Sequence, residues 1–266
     1  MDLGLKGQFY IVLGGSRGMG FEAASLLAEE GARLAIISRT PSAIAAAAEQ
    51  IHQATGAEVS PFSADASCPG EVESAIGQAI AHLGTPRGLL VTSGLTDRNG
   101  DLLTATDDDW EANFQDVTMG HVRACRAVLP AMLSAGGGQI VTTAAYSARS
   151  AKGFLFPYAS QKAAVVNFTK NLAKTYGAQG IRANCVCPGA FETSRVSESI
   201  EKIMAEQGMD RAAAASHLVT EVFRMPVAMR RPGKAREAAE LMAFLLSERA
   251  GYLNGAIVNI DGGTDF

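Results

Sequence analysis

Tyr158 and Lys162 stand four residues apart in YASQK, on one face of the helix that the flanking pattern predicts. A phenol beside an ammonium is suited to moving a proton to or from a carbonyl oxygen. The phenol's ordinary pKa near ~10 has to fall toward working pH for rapid exchange, and a neighbouring ammonium would push it that way. Tyr-x-x-x-Lys is common by chance on surface helices, so its meaning depends on the elements that hold it.

Those elements are legible as short apolar runs at Phe9–Leu13, Leu34–Ile37, Val59–Phe62, Leu89–Val91, Ile140–Thr143, Ile181–Val186 and Ile257–Ile260, separated by helical stretches rich in Ala, Leu and Glu. Continuous apolar strands imply burial on both faces, hence an α/β fold with a parallel sheet and helices above and below. No linker, repeat or composition break divides residues 1–266, so one domain is expected. Residues 193–229 form a helical insertion between the sixth and seventh strands, with apolar stripes through Ile200, Ile203, Met204, Leu218, Val222, Phe223 and Met225. An insertion there overhangs the carboxyl edge of the sheet, and we read it as a substrate lid; the plainer readings are an oligomer contact or a packing helix.

The first strand runs into Gly14-Gly15-Ser16-Arg17-Gly18-Met19-Gly20 and then a helix. In that setting glycines allow a tight turn and let a pyrophosphate approach the N–H groups of a helix N-terminus. The second strand ends in Ser38 and Arg39, where NAD enzymes usually place an acid on the ribose hydroxyls. Ser38 and Arg39, flanked by Arg17, suit a 2′-phosphate, so NADP(H) is favoured over NAD(H).

The bulk composition narrows the partners. A formal charge of −4 with dispersed Lys and Arg gives no footprint for nucleic acid or an anionic membrane, which leaves a small molecule. The N-terminal stretch lacks the pattern of a secretory signal, and no apolar run approaches the ~18 residues of a membrane span, so a cytoplasmic protein is expected. Cys68, Cys125, Cys185 and Cys187 read as reduced structural thiols; Cys185 and Cys187 share a strand face. His52, His82, His121 and His217 fall in separate predicted helices, so no metal site is expected and none is given a catalytic role. Asp107, Asp108 and Asp109 after Thr106 read as a capped helix start rather than a catalytic cluster.

With GGSRGMG, Asp65, YASQK, CPGAFET and LNGAIVNIDGG in order and at familiar separations, the chain resembles the short-chain dehydrogenase/reductase family over essentially its whole length. The resemblance implies a doubly wound Rossmann-type sheet of about seven strands and commonly a homotetramer, otherwise a dimer. It implies a cofactor site of Gly14, Ser16, Arg17, Gly18, Met19, Gly20, Ser38, Arg39, Asp65 near the adenine, Ala66, Ser93 and Gly94. Pro188, Gly189 and Thr193 would lie near the nicotinamide. It further implies that Tyr158 is the acid/base and that Lys162 holds the nicotinamide ribose and lowers the tyrosine pKa. The family's carbonyl-orienting serine maps to Ala145, its relay asparagine to Val117, and its Asn-Asn-Ala-Gly to Val91-Thr92-Ser93-Gly94; Leu13 replaces a frequent threonine.

A replacement hydroxyl is sought first at Ser147, then at Thr143, with Tyr146 and Ser93 as further choices. The leading expectation is an NADP(H)-dependent oxidoreductase acting on a carbonyl or alcohol of a lipophilic, acyl or ring substrate. The alternatives are a changed reaction (reduction of a conjugated C=C bond, or a lyase or isomerase step) and a nucleotide-binding regulatory protein.

Overall fold

The computed structural model describes residues 2–94, 98–225 and 227–264, with the backbone alone at positions 194 and 195. The predicted strands appear as β1 (Phe9–Leu13), β2 (Arg33–Ser38), β3 (Val59–Ser63), β4 (Gly88–Val91), β5 (Gly138–Thr143), β6 (Ile181–Pro188) and β9 (Ile257–Ile260). They form one sheet in the order β3-β2-β1-β4-β5-β6-β9, every pair parallel. β1 is flanked by β2 on one side and β4 on the other, so the chain reverses direction across the sheet at the β1/β4 crevice. Open α/β sheets bind ligands at the strand carboxyl ends of such a crevice.

Helices cover both faces. On one, α1 (Gly18–Glu29), α2 (Pro41–Thr55) and α9 (Ala235–Leu246) bury Leu27, Ile44, Ile51 and Met242 against Val12, Leu34 and Ile36. On the other, α3 (Glu71–Leu83), α5 (Gly120–Ser134) and α6 (Phe156–Tyr176) bury Ile76, Val128 and Leu172 against Ile11, Leu13 and Ile140. The alternation of side chains along β1 sends Tyr10 and Val12 to the first layer and Phe9, Ile11 and Leu13 to the second. A strand buried on both faces has no polar face to show, hence the unbroken apolar run in the sequence.

Two features depart from simple alternation. A second, two-stranded parallel sheet pairs β7 (Phe191–Glu192) with β8 (Gly233–Lys234). It brackets the helical segment made of α7 (Ser194–Gln207), α8 (Arg211–His217) and the π-helical turn Leu218–Val222. The other departure is α4 (Asp107–Asn113), which passes through a π-helical turn, Phe114–Met119, into α5. At its start Thr106 accepts from the Asp109 N–H at 3.2 Å while the Asp109 carboxylate accepts from the Thr106 N–H at 3.0 Å. Thr106 and Asp109 therefore form a capping box, with Asp107 and Asp108 in the same first turn, the helix start that the sequence indicated.

Candidate active site

Steric demand explains the glycine loop. A Cβ on Gly14, where φ is 99°, would stand 2.5 Å from Thr92 Oγ1 and 2.8 Å from the Ser93 nitrogen. One on Gly20 would strike the Gly14 carbonyl and Thr92 Oγ1, and one on Gly15 would lie 3.0 Å from Ile36 Cβ. Thr92 in turn donates to the Leu13 and Gly14 carbonyls at 3.2 and 3.3 Å, stitching the end of β4 to the loop after β1. A Cβ on Gly18, with φ of 57°, would meet nothing within 4 Å, so its role is the left-handed turn that launches α1. The first turn of α1 carries no acidic residue, which leaves its positive end free for an anion.

Around this cradle, buried hydroxyls lack partners. Among the described residues, Ser38 Oγ at the end of β2 and Ser93 Oγ after β4 are buried and make no hydrogen bond. Ser147 Oγ, in the 3-10 turn Tyr146–Ala148, is the third such serine. An orphaned buried hydroxyl costs roughly 1–3 kcal/mol, so three of them at one sheet edge fit a polar ligand with several acceptors. Asp65 is otherwise engaged. One of its carboxylate oxygens accepts from Ser67 N at 2.9 Å and Ser67 Oγ at 2.7 Å, shaping the turn that carries Ala66. Ala66's carbonyl is held at 2.7 Å by the buried Arg123 guanidinium, a clamp the sequence reading did not pick out.

Tyr158 and Lys162 occupy the first two turns of α6. Thr142 and Thr169 share a hydroxyl hydrogen bond of 2.6 Å, and Thr118 Oγ1 donates to Gln161 Oε1 at 2.7 Å, so β5 and the π turn both grip the helix. Lys162 is buried and its ammonium donates to the Thr143 carbonyl at 2.9 Å, with Nζ 5.6 Å from the centre of the Tyr158 ring. Burial pulls Lys162 down to about 8. Burial also holds the Tyr158 phenol above its ordinary value, with the Asp116 carboxylate adding to the effect. The chain's own groups therefore leave Tyr158 a phenol, opposite to the lowering expected from the neighbouring lysine.

Of the hydroxyls weighed as substitutes at Ala145, Thr143 is already committed: it donates to the Val91 carbonyl. Its strand position is on the right edge, but its one proton is spent within the sheet. Tyr146 packs into an apolar cluster with Ala190, Val219, Phe223, Met225 and Val227, and Lys152 Nζ stands 5.5 Å from its ring centre. Ala145 is extended and buried, and Val117 is buried beside Ala144, Cys185 and Cys187 under Tyr158. Val117 sits in the π turn, an irregularity that often marks functional positions and that apolar periodicity cannot register.

The remaining expected positions lie at the same edge. A Cβ on Gly94 would stand 3.5 Å from Lys162 Nζ and 3.1 Å from Val117 Cα. A Cβ on Gly189, after Pro188, would be 2.8 Å from Asp261 Cα. Thr193 Oγ1 accepts from the Val196 N–H at 3.4 Å as the cap of α7. Asp116, missed by sequence reasoning, is held above the usual carboxylate range by burial, against the opposing pull of Arg39; Asp65 adds to the rise and Lys162 opposes it. Its charge links the Arg39 end of the cleft to the Lys162 end.

A family model described as enoyl-(acyl carrier protein) reductase matches residues 14–265. The chain belongs to the short-chain dehydrogenase/reductase family. Levodione reductase of Leifsonia aquatica is 32% identical over 254 residues, 95% of this chain and 92% of its own. A 3-oxoacyl-(acyl-carrier-protein) reductase of Chlamydia muridarum is 30% identical over 254 residues, 95% of each chain. The crystal structure of L-sorbose reductase from Gluconobacter frateurii, complexed with NADPH and L-sorbose, superposes with a TM-score of 0.90 at 27% identity, covering 99% of this chain and 98% of that one. As a short-chain dehydrogenase/reductase this protein is an oxidoreductase with the Rossmann-type sheet that the sequence implied. Among the described residues no group of three or more His, Cys, Asp or Glu could hold a metal, and no helix is long and apolar enough to cross a membrane.

Proposed function

We propose that the protein is an NADP(H)-dependent reductase of a lipophilic, acyl or ring carbonyl compound, with Tyr158 as the acid. The observation that carries this reading is the convergence on one sheet edge of three buried, partnerless serine hydroxyls with a buried ammonium. Ser38 and Arg39, at the end of β2 with no acid next to them in the sequence, would hold a 2′-phosphate, and the bare N-terminus of α1 with Ser16, Arg17 and Met19 would take the pyrophosphate. NADPH in the sorbose reductase complex supports the same choice. Ala66, Ser93, Gly94, Pro188, Gly189 and Thr193 complete that site.

When bound, the nicotinamide supplies or accepts hydride. Tyr158, which burial keeps protonated, donates its phenolic proton to the substrate oxygen. Ser147 Oγ, free of any internal partner, orients that oxygen and stabilises the charge it acquires. The segment 193–229 acts as a lid within a single domain: its Val219, Phe223, Met225 and Val227 pack with Tyr146 and Ala190, giving an apolar ceiling. β9 ends the sheet as an edge strand, and Tyr252, in the turn that precedes it, is fully exposed, which supports a homo-oligomer, tetramer or dimer; reduced thiols support a cytoplasmic setting.

A second reading has its own support: Ala145 and Val117 are buried and apolar, and Thr143 is spent on Val91. These favour reduction of a conjugated C=C bond, or a step without hydride. Following NADPH absorbance with ketones, enones and alcohols tests both. Ketone turnover lost in Ser147→Ala supports the first reading; enone turnover indifferent to Ser147→Ala supports the second; no NADPH binding at all rejects both.

A further inference from the structure

Arg123, in the first turn of α5, is buried, and among the described residues its guanidinium bonds to neutral oxygens and to no carboxylate. A charge withdrawn from water without a counter-charge is costly, so its place here calls for a reason. The acceptors belong to two segments. One guanidinium nitrogen donates to the Ala66 carbonyl at 2.7 Å and to the Gln115 carbonyl at 3.3 Å, and the other donates to Gln115 Oε1. Gln115 lies in the π turn, and its amide nitrogen donates to Glu111 Oε1 at 2.8 Å, which leaves its oxygen for Arg123. Helical side chains lean toward the helix N-terminus, so an arm as long as arginine reaches back over both segments. Gly120 permits the close approach, since a Cβ there would stand 3.1 Å from Ala66 Cβ.

The clamp acts on the turn after β3, where two peptides flank the Ala66 Cα. In the first, the Asp65 carbonyl accepts from the Cys68 N–H at 3.1 Å, so the Ala66 N–H, trans to that carbonyl, points away from the turn. In the second, the Ser67 N–H donates to the Asp65 carboxylate at 2.9 Å while Arg123 holds the Ala66 carbonyl. The Ala64 N–H donates to the Ser38 carbonyl at 3.1 Å and the Asp65 N–H to Glu71 Oε2 at 2.8 Å. Among the described residues, the Ala66 N–H is thus the one amide from 64 to 68 without a partner, a donor kept for a ligand.

We propose that Arg123 is a positioning residue for the adenine half of the cofactor: by hanging the turn after β3 from the π turn, it fixes the Ala66 carbonyl and with it the aim of the Ala66 N–H. Through Thr118 the same π turn holds Gln161, the residue before Lys162, so the adenine turn and the helix that carries Tyr158 share one support. This role rests on the NADP(H) site proposed above and requires nothing of the substrate.

Calorimetric titration of the intact protein with the two halves of the cofactor tests it. Adenosine 2′,5′-bisphosphate carries the adenine and the 2′-phosphate; reduced nicotinamide mononucleotide carries neither. In Arg123→Met the dissociation constants of the bisphosphate and of NADPH should each rise about tenfold, the loss expected for one misdirected hydrogen bond, while that of the mononucleotide stays at the parent's value. Equal weakening of both halves, as a merely structural role would give, or unchanged bisphosphate affinity, overturns the proposal. Arg123→Lys covers failure of Arg123→Met to fold: a point charge cannot span Ala66 and Gln115 as the planar fork does, so bisphosphate affinity should again fall, and parental affinity overturns the proposal. Amide hydrogen exchange on the cofactor-free protein is the second readout. Exchange at Ser67 and Cys68 should quicken by about tenfold in either variant while amides within β1 keep the parent's rates. Unchanged rates at Ser67 and Cys68 overturn the clamp. A parent that binds neither NADPH nor the bisphosphate would refute the NADP(H) reading, and the exchange difference would still decide whether Arg123 sets the turn.

Discussion

The two ends of the cleft are built from different parts of the chain. At the nucleotide end the surfaces are largely backbone: glycines at 14, 15 and 20 stand where a Cβ would collide with Thr92, Ile36 or the loop itself. At the chemical end they are side chains: Tyr158 and Lys162 stand beside an alanine and a valine where the family resemblance places a serine and an asparagine. A backbone cradle is tied to the packing of β1, α1 and β4, so altering it disturbs the fold. A hydroxyl at the end of a strand can be exchanged for a methyl with little effect on the sheet, which leaves chemistry freer to drift than cofactor binding.

That contrast can be broken or sharpened by mutation. The largest effect is expected from Tyr158→Phe, which should lower kcat by roughly 10²–10⁴-fold while NADPH titration shows affinity almost unchanged. Ser147→Ala should lower ketone turnover by about 10²-fold if its free hydroxyl serves as the oxyanion donor, and Ala145→Ser should then add little. Gly20→Ala, by contrast, should weaken NADPH binding and lower the melting temperature together, the combination expected where site and scaffold are one object. Arg39→Asp should invert the NADPH over NADH preference by about tenfold, measured as a ratio of dissociation constants.

The smallest effect concerns stability against pH. Lys162 has a folded pKa of about 8, below its ordinary 10.5, so the unfolded chain binds more protons between these values. Stability contributed by this group therefore rises with pH from about 8 until Tyr158, raised by burial, opposes it above pH ~10. Denaturant unfolding should show that rise in the parent and lose it in Lys162→Met, which should also be the more stable protein near neutrality by about 1–3 kcal/mol.

The sheet was readable because burial on both faces leaves unbroken apolar runs; β1 and β9 fall where those runs do, and β5 and β6 extend two residues beyond them. Gly14 to Gly20 and Tyr158 with Lys162 were readable because the steric and helical spacing they need is local. What escaped notice depends on contacts between distant segments. The β7/β8 pairing joins residues about forty positions apart and is two residues long, too short for periodicity. Thr143 looked available until its hydroxyl met Val91 across the sheet, and Asp116, which the sequence reading did not single out, feels the charges of Arg39, Asp65 and Lys162. His121, set aside because no other histidine was near in sequence, is buried against the Val117 carbonyl.

The small β7/β8 sheet has a bearing on how this family can diversify. By pairing Phe191 with Gly233 and Glu192 with Lys234 it fixes the two points where the helical segment leaves and rejoins the body. The closure entropy of a segment with fixed ends grows only with the logarithm of its length, so longer or shorter inserts between those points cost little. The stretch from 193 to 232 is thereby free to change in length without redesign of the sheet beneath.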